Sequence, residues 1–218
     1  MLIQPLLRIL IALWFLSLMI ICTFVQVRLP FISFVLPHLN DTWLGYESTY
    51  LYMGTYAGNL QVFIYFLSLF FLNGVLLHLL LGFYLVLGLT RFPLFYHGGG
   101  LDYFQQPTLG FLLILLPAAW FWMIQLKRHP RNPISAQRYM SVSILTLLLI
   151  YFTGGLYASI SYGLDPIAFF FSFIMPHLCW HIPAVLFVAL LYDYMPAPVK
   201  HLLLNPAVLS SRKRRSRA

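Results

Sequence analysis

Two histidines stand four residues apart inside a long apolar stretch of the chain. His177 and His181 belong to the sequence PHLCWHIP, residues 176–183, within an apolar run that extends over 166–192. Residues at this spacing share one face of a helix. Because imidazoles inside a membrane are costly, they generally face protein or a cavity. The pair therefore indicates hydrogen bonds to neighbouring helices, an axial haem ligand, a metal site or a proton relay.

A third histidine, His78, lies deep in another apolar run. Gly74 and Gly82 stand one turn to either side of it, and small residues let a flat macrocycle or a second helix backbone approach closely. A haem held between two helices takes one histidine from each. The pattern predicts a cofactor site formed by His78 with His177 or His181, and haem b as its cofactor. A helix–helix hydrogen bond is the alternative for His78.

The same three histidines are also compatible with a bare metal ion, because imidazoles at positions i and i+4 can chelate one ion. No carboxylate or cysteine joins them at a recognisable spacing, and the apolar runs contain neither an acid pair nor a Ser-His-Asp order. We therefore expect no catalytic residues and no catalysis by the chain alone. A proton- or sodium-coupled carrier also lacks the membrane carboxylates that it would use.

The composition defines the elements that must position these histidines. Of the 218 residues, 61% are hydrophobic and 8% are charged, whereas soluble proteins carry about 25% charged residues. The apolar runs are long and unbroken, which is typical of membrane helices and not of alternating strands. The sequence predicts an all-α fold, a polytopic transmembrane helical bundle in the lipid bilayer. One domain would cover residues 1–200, followed by a basic tail at 201–218.

The apolar runs predict five membrane-spanning helices, with six as the alternative. The five helices are expected at about 9–27, 59–90, 108–126, 139–162 and 166–192, with an interfacial segment at 29–58. The run 59–90 is too long for one straight crossing, and Asn73-Gly74 in its middle would suit a kink or a turn. Length favours a single tilted helix there. Thr153-Gly154-Gly155 is interpreted as a patch for close helix packing.

Positive charges predict the orientation of the chain in the membrane. The loop 127–138 carries four Lys or Arg residues, and the tail from Lys200 carries six. The positive-inside rule places both, and therefore the C-terminus, on the cytoplasmic or matrix side of a bacterial or organellar inner membrane. Five helices would place the N-terminus outside and six would place it inside. Either model puts eleven Lys and Arg residues inside and two outside.

The basic tail is interpreted as a topology anchor or as a docking element for an acidic partner. Five of its last seven residues are basic, and each such charge near an anionic leaflet contributes about 1 kcal/mol. Nucleic acid is not an expected partner, because the cluster is short and lacks interleaved aromatic residues.

Several stretches resemble the b-type cytochrome membrane subunits of hydrogenases and formate dehydrogenases. They are ESTYLYMG at 47–54, NPISAQ at 132–137 opening a helix that carries Thr153-Gly154, and the histidine-bearing last helix. In that family the helix histidines bind haem, and electrons pass between a peripheral enzyme and quinone.

The resemblance implies that His78 matches the second-helix ligand and that His177 or His181 matches the first ligand of the last helix. The family's first-helix histidine is absent from 9–27, and Leu190 or Met195 falls where its second ligand on the last helix would stand. At most one of the family's two haems is therefore implied.

Three classes of function follow from these observations. The first is a membrane subunit of a multi-protein complex that holds haem b and exchanges electrons with quinone. The second is a cofactor-free structural or assembly subunit of a membrane complex. The third is a permease or channel subunit, which would need a polar, water-accessible lining. Because the loops are too short for an extramembrane catalytic domain, partner subunits would supply any active site.

Overall fold

The computed structural model describes residues 3–33, 52–72, 74–90, 92–95, 98–127 and 136–195. Its α-helices are α1 (Ile3–Phe24), α2 (Gln61–Phe71), α3 (Gly74–Thr90), α4 (Leu109–Leu113), α5 (Leu115–Lys127), α6 (Ala136–Tyr162), α7 (Pro166–Phe169) and α8 (Met175–Tyr194). A 3₁₀ turn covers Leu101–Gln105, and a π-helical turn, Phe170–Ile174, joins α7 to α8. The helical class predicted from the composition is confirmed, and the basic tail lies outside the described residues.

Three helical stretches in the described residues have the length and composition of a membrane crossing. They are Leu6–Phe24, Gln137–Tyr162 and Pro166–Leu191. The other apolar helical stretches are shorter, at Gln61–Phe71, Gly74–Thr90 and Leu109–Gln125.

The segment predicted to lie along the interface contains two paired strands. β1 (Gln26–Ser33) and β2 (Tyr52–Asn59) are antiparallel, with a register that runs from Gln26 opposite Asn59 to Ser33 opposite Tyr52. Proline is tolerated at the edge of a sheet, where its missing N–H costs no ladder hydrogen bond, and β1 contains Pro30. Residues 34–51, with Asp41 and Glu47, lie outside the described residues.

The long apolar run 59–90 contains two antiparallel helices. Leu72 has extended backbone angles (φ −96°, ψ 145°) and ends α2. Gln61 at the start of α2 donates from Nε2 to the Tyr84 hydroxyl in α3 at 2.9 Å, across 23 residues. In a continuous helix these residues would lie about 34 Å apart. The chain therefore reverses near residue 73, and the prediction of one long tilted helix is wrong.

The helices form a closed ring. Helix α1 packs against α2 and α3, α2 packs against α8, α8 against α6, α6 against α4 and α5, and α5 against α3. Apolar side chains fill the core of this ring; fully buried examples are Phe66, Leu77, Leu147 and Val185. In this order α3 and α8 lie on opposite sides of the ring.

The two ends of the ring are built differently. At the hairpin end, α1 ends and α2 begins where β1 and β2 meet, at the pair Gln26 and Asn59. At the opposite end an aromatic cluster joins α2, α5 and α6: the Phe70 ring lies 5.3 Å from both Trp122 and Tyr139. Trp122 also donates from Nε1 to the Ser143 hydroxyl at 3.1 Å.

Glycines allow the close packing of α4 on α6. A Cβ added to Gly110 would lie 2.6 Å from the Tyr157 Cβ, and one added to Gly154 would overlap the Phe111 ring. Gly155 is similarly covered by Ile174. The close-packing role predicted for this patch is confirmed for Gly154 and Gly155.

Candidate functional site

His177 and His181 project from the same face of α8, as their spacing predicts. Their ring centroids lie 6.0 Å apart. The His181 side chain is buried, and its Nδ1 lies 2.5 Å from the Tyr151 hydroxyl of α6. The Tyr151 and His181 rings stack with centroids 5.9 Å apart. These three residues, Tyr151, His177 and His181, form the histidine cluster, in which a polar contact joins α6 to α8.

The local distortion of the last helix supplies the partner of His177. Its Nδ1 lies 2.6 Å from the Phe173 carbonyl oxygen, in the π-helical turn that precedes α8. A carbonyl can only accept, so Nδ1 carries the proton of the neutral ring. Pro176, in the first turn of α8, cannot donate to the preceding turn, which fits the irregular helix at this point. Mid-membrane imidazoles thus find hydrogen-bond partners within the protein.

Aromatic rings surround the histidine cluster. The Phe173 ring lies 4.2 Å from His177, and the Phe111 ring of α4 lies 5.7 Å from both Tyr151 and Phe173. The cluster is therefore a polar group from α6 and α8 that is held between the phenyl rings of Phe111, from α4, and Phe173, from the π-helical turn. Such a combination can bind a small ligand that has both ring faces and hydrogen-bonding edges.

The structure does not bring the three predicted histidines together. The His78 Nδ1 lies 2.6 Å from the Gly74 carbonyl oxygen, one turn earlier in its own helix. In the packing order of the ring, other helices separate α3 from α8 on both sides. Within the described residues, no group of three or more His, Cys, Asp or Glu side chains could hold a metal ion.

A second buried polar group lies at the hairpin end of the ring. Thr23, Gln61 and Tyr84 are each at least nine-tenths buried, and they come from α1, α2 and α3. The Thr23 Oγ1 lies 3.2 Å and the Gln61 Nε2 lies 2.9 Å from the Tyr84 hydroxyl. We call this group the hairpin-end network.

The hairpin-end network could not be predicted from the sequence, because its members are 23 to 61 residues apart. The only signal was a Thr and a Gln at the ends of apolar runs, where polar residues are common.

The segment before α4 closes over this network. The Tyr84, Phe95 and Tyr103 rings pack in sequence, with centroid distances of 5.4 and 4.6 Å. The Tyr103 hydroxyl lies 2.8 Å from the Thr108 Oγ1. Burial raises the pKa of the Tyr103 hydroxyl and its hydrogen bond to Thr108 opposes that shift. The hydroxyl therefore stays protonated at neutral pH.

Comparison with known proteins gives one family and one fold. A family model described as the BioY family matches residues 4–201. The crystal structure of the S-component for biotin from an ECF-type ABC transporter superposes with a TM-score of 0.61 at 15% identity. The match covers 92% of this chain and 98% of that chain. No curated protein sequence matches the chain.

These comparisons correct the electron-transfer hypothesis. Both matches extend over almost the whole chain, whereas the resemblance to b-type cytochrome subunits rested on short stretches such as 47–54 and 132–137. That resemblance was wrong, and so were haem b as cofactor, quinone as partner and electron transport as function. The permease alternative was the better prediction. The membrane class holds, and the chain is an integral helical membrane protein.

Proposed function

Because the chain belongs to the BioY family, we propose that it is the substrate-binding membrane component of a biotin transporter. The family match over residues 4–201 carries this proposal. The fold supports it, since a structure of the same architecture is described as the S-component for biotin of an ECF-type ABC transporter. The partners proposed here are accordingly the other membrane subunits of such a transporter.

The distribution of acidic residues supports a transport component whose energy comes from partner subunits and not from ion coupling. The five acidic residues of the chain are Asp41, Glu47, Asp102, Asp165 and Asp193. Of the three that lie in the described residues, none is in the interior of a membrane-spanning helix: Asp102 is in the 3₁₀ turn, Asp165 precedes α7 and Asp193 stands at the end of α8. Ion-coupled carriers use carboxylates within the membrane. The energy for transport would therefore come from ATP-hydrolysing subunits.

We propose six crossings, made by α1, α2, α3, the pair α4 and α5, α6, and the segment from α7 to α8. The reversal between α2 and α3 supports this count, because it adds one crossing to the five expected from length. Both termini then lie on the cytoplasmic side, with eleven Lys and Arg residues there and two on the outer side. The hairpin end faces outward, toward arriving substrate.

The outer side holds the charge that a carboxylate ligand needs. Biotin carries a carboxylate tail, and a buried or half-buried carboxylate binds best beside a cation. In the six-crossing arrangement the two outer cations are Arg28, opposite Ala57 in the hairpin register, and Arg91, next to the end of α3. We assign these two arginines to the carboxylate.

The predicted site histidines take separate roles in this proposal. His177 and His181, with Tyr151, line the interior of the ring as a polar wall among aromatic side chains, where the bicyclic ring of the ligand would pack. His78 stabilises the first turn of α3 through the Gly74 carbonyl and does not contact the ligand.

The test is calorimetric titration of the purified protein with biotin and with biotin methyl ester. We expect one biotin to bind per chain. Arg28→Gln and Arg91→Gln should weaken biotin binding about tenfold or more while changing the affinity for the uncharged ester little. Arg8→Gln, near the opposite end of α1, is the matched control and should leave both affinities unchanged. A folded, monodisperse protein that does not bind biotin would contradict the proposal.

A further inference from the structure

The hairpin-end network has a fixed direction. The Thr23 hydroxyl donates its single proton to the Met19 carbonyl oxygen at 2.7 Å. It can therefore only accept from the Tyr84 hydroxyl, 3.2 Å away. Tyr84 has one further acceptor, the Leu94 carbonyl oxygen at 3.5 Å. Toward either acceptor, the Tyr84 proton points away from Gln61.

This direction fixes the orientation of the Gln61 amide. Since the Tyr84 hydroxyl donates its proton to another acceptor, it can only accept a hydrogen bond from Gln61. The amide nitrogen therefore faces Tyr84, in agreement with the 2.9 Å distance between Gln61 Nε2 and the Tyr84 hydroxyl. The other two hydrogen-bonding groups of the amide are its oxygen, Oε1, and the second Nε2 proton. Over the described part of the chain neither has a hydrogen-bond partner, although Gln61 is only 8% exposed.

The position of this amide suits a ligand that enters at the hairpin end. Gln61 opens α2 two residues after β2 ends, and Thr23 lies three residues before β1 begins. The amide thus lies at the base of the strand pair, beneath the outer face. A buried primary amide whose oxygen and one N–H form no other hydrogen bond presents an acceptor and a donor side by side to a ligand.

We propose that the Gln61 amide binds the cyclic urea of the ligand edge to edge, its Oε1 accepting the urea N–H and its remaining N–H donating to the urea carbonyl. This inference rests on the proposed function, since biotin supplies the cyclic urea. Tyr84 and Thr23 are positioning residues, because they hold the amide in one of its two orientations and make no contact with the ligand.

The test compares biotin with biotin methylated on a ureido nitrogen, which lacks one N–H. The native protein should prefer biotin by about 10- to 100-fold, the range expected for loss of hydrogen bonds in a buried site. Gln61→Met should bind both ligands with nearly equal, reduced affinity. General structural damage would instead lower both affinities and keep their ratio. Gln105→Met, at an exposed glutamine of the 3₁₀ turn, is the matched control and should keep the native ratio.

Tyr84→Phe provides a second variant if Gln61→Met does not fold. It keeps the ring and removes only the hydroxyl that orients the amide, so the preference for biotin should fall several-fold. An unchanged preference in whichever variant folds would overturn the inference and leave the proposed function standing. If the native protein does not bind biotin, both fail.

Discussion

At the scale of single residues, the hydrogen-bond partners of the histidines explain how imidazole side chains are tolerated in an apolar membrane interior. Both histidines of α8 have partners at Nδ1: the Phe173 carbonyl for His177 and the Tyr151 hydroxyl for His181. The shared face of the two histidines could be predicted from their spacing. Tyr151 could not, because it lies 30 residues away and is brought close only by helix packing.

Tyr151→Phe is predicted to destabilise the protein. The change leaves the ring in place and removes the hydroxyl 2.5 Å from His181 Nδ1, so the buried His181 side chain loses this hydrogen bond. Such a loss costs about 1–3 kcal/mol. The measurement is the midpoint of thermal unfolding in detergent. Tyr157→Phe, six residues along the same helix, is the control, and an equal midpoint for the two variants would contradict the prediction.

At the scale of elements, sequence reasoning located the helices well and misjudged one connection. The ends of three predicted helices fall within three residues of α4 with α5, α6, and α7 through α8, whereas α1 begins six residues before its predicted start and ends three residues before its predicted end. The run 59–90 was misassigned because hydropathy is equally high in one long helix and in two shorter helices joined by a reversal. The bond between Gln61 and Tyr84 distinguishes the two arrangements, and it is a long-range contact that no local pattern reveals.

The glycine packing of α4 on α6 gives a prediction at this scale. Gly110→Ala should destabilise the protein by about 1–3 kcal/mol, because the new Cβ would lie 2.6 Å from the Tyr157 Cβ and the helices must move apart. Gly82→Ala is the matched control: no atom lies within 4 Å of its added Cβ. There the unfolded chain loses freedom, so stability should rise by about 0.5–1 kcal/mol. Thermal unfolding of both variants measures the difference, and a Gly110→Ala protein as stable as the native one would contradict the interpretation.

At the scale of the whole molecule, composition was sufficient for the membrane class but not for the function. A content of 8% charged residues, together with apolar runs of membrane length, is typical of helical membrane proteins and not of soluble ones. The haem hypothesis was wrong because it rested on histidine spacing and short resemblances, whereas the family match extends over residues 4–201. It also presumed which helices are neighbours. Helix order around the ring depends on many weak packing contacts spread over the chain, and neither the spacing of histidines nor the charge count reports it. The positive-inside rule does not distinguish five helices from six, because both place eleven Lys and Arg residues inside and two outside.

Cysteine labelling of intact cells distinguishes the two arrangements. In a background without Cys22 and Cys179, a cysteine at Ser48, between the two strands, should react with a membrane-impermeant maleimide. Six crossings place it outside, whereas five would place it inside. Leu101→Cys should react in either arrangement, and Gln137→Cys should react only after permeabilisation. Protection of position 48 in intact cells would overturn the six-crossing topology.

The brevity of α2 has a mechanical consequence for the surrounding lipid. Its 11 residues measure about 16 Å, roughly half of the 30 Å hydrocarbon thickness of a bilayer. The reversal between α2 and α3 lies at the end opposite the hairpin, because Gly74 lies against Met123 near the end of α5 and Phe70 lies against Tyr139 near the start of α6. The missing half of the crossing is therefore on the hairpin side, where β1 and β2 continue the chain. Acyl chains of that leaflet meet the base of the strand pair instead of further turns of helix.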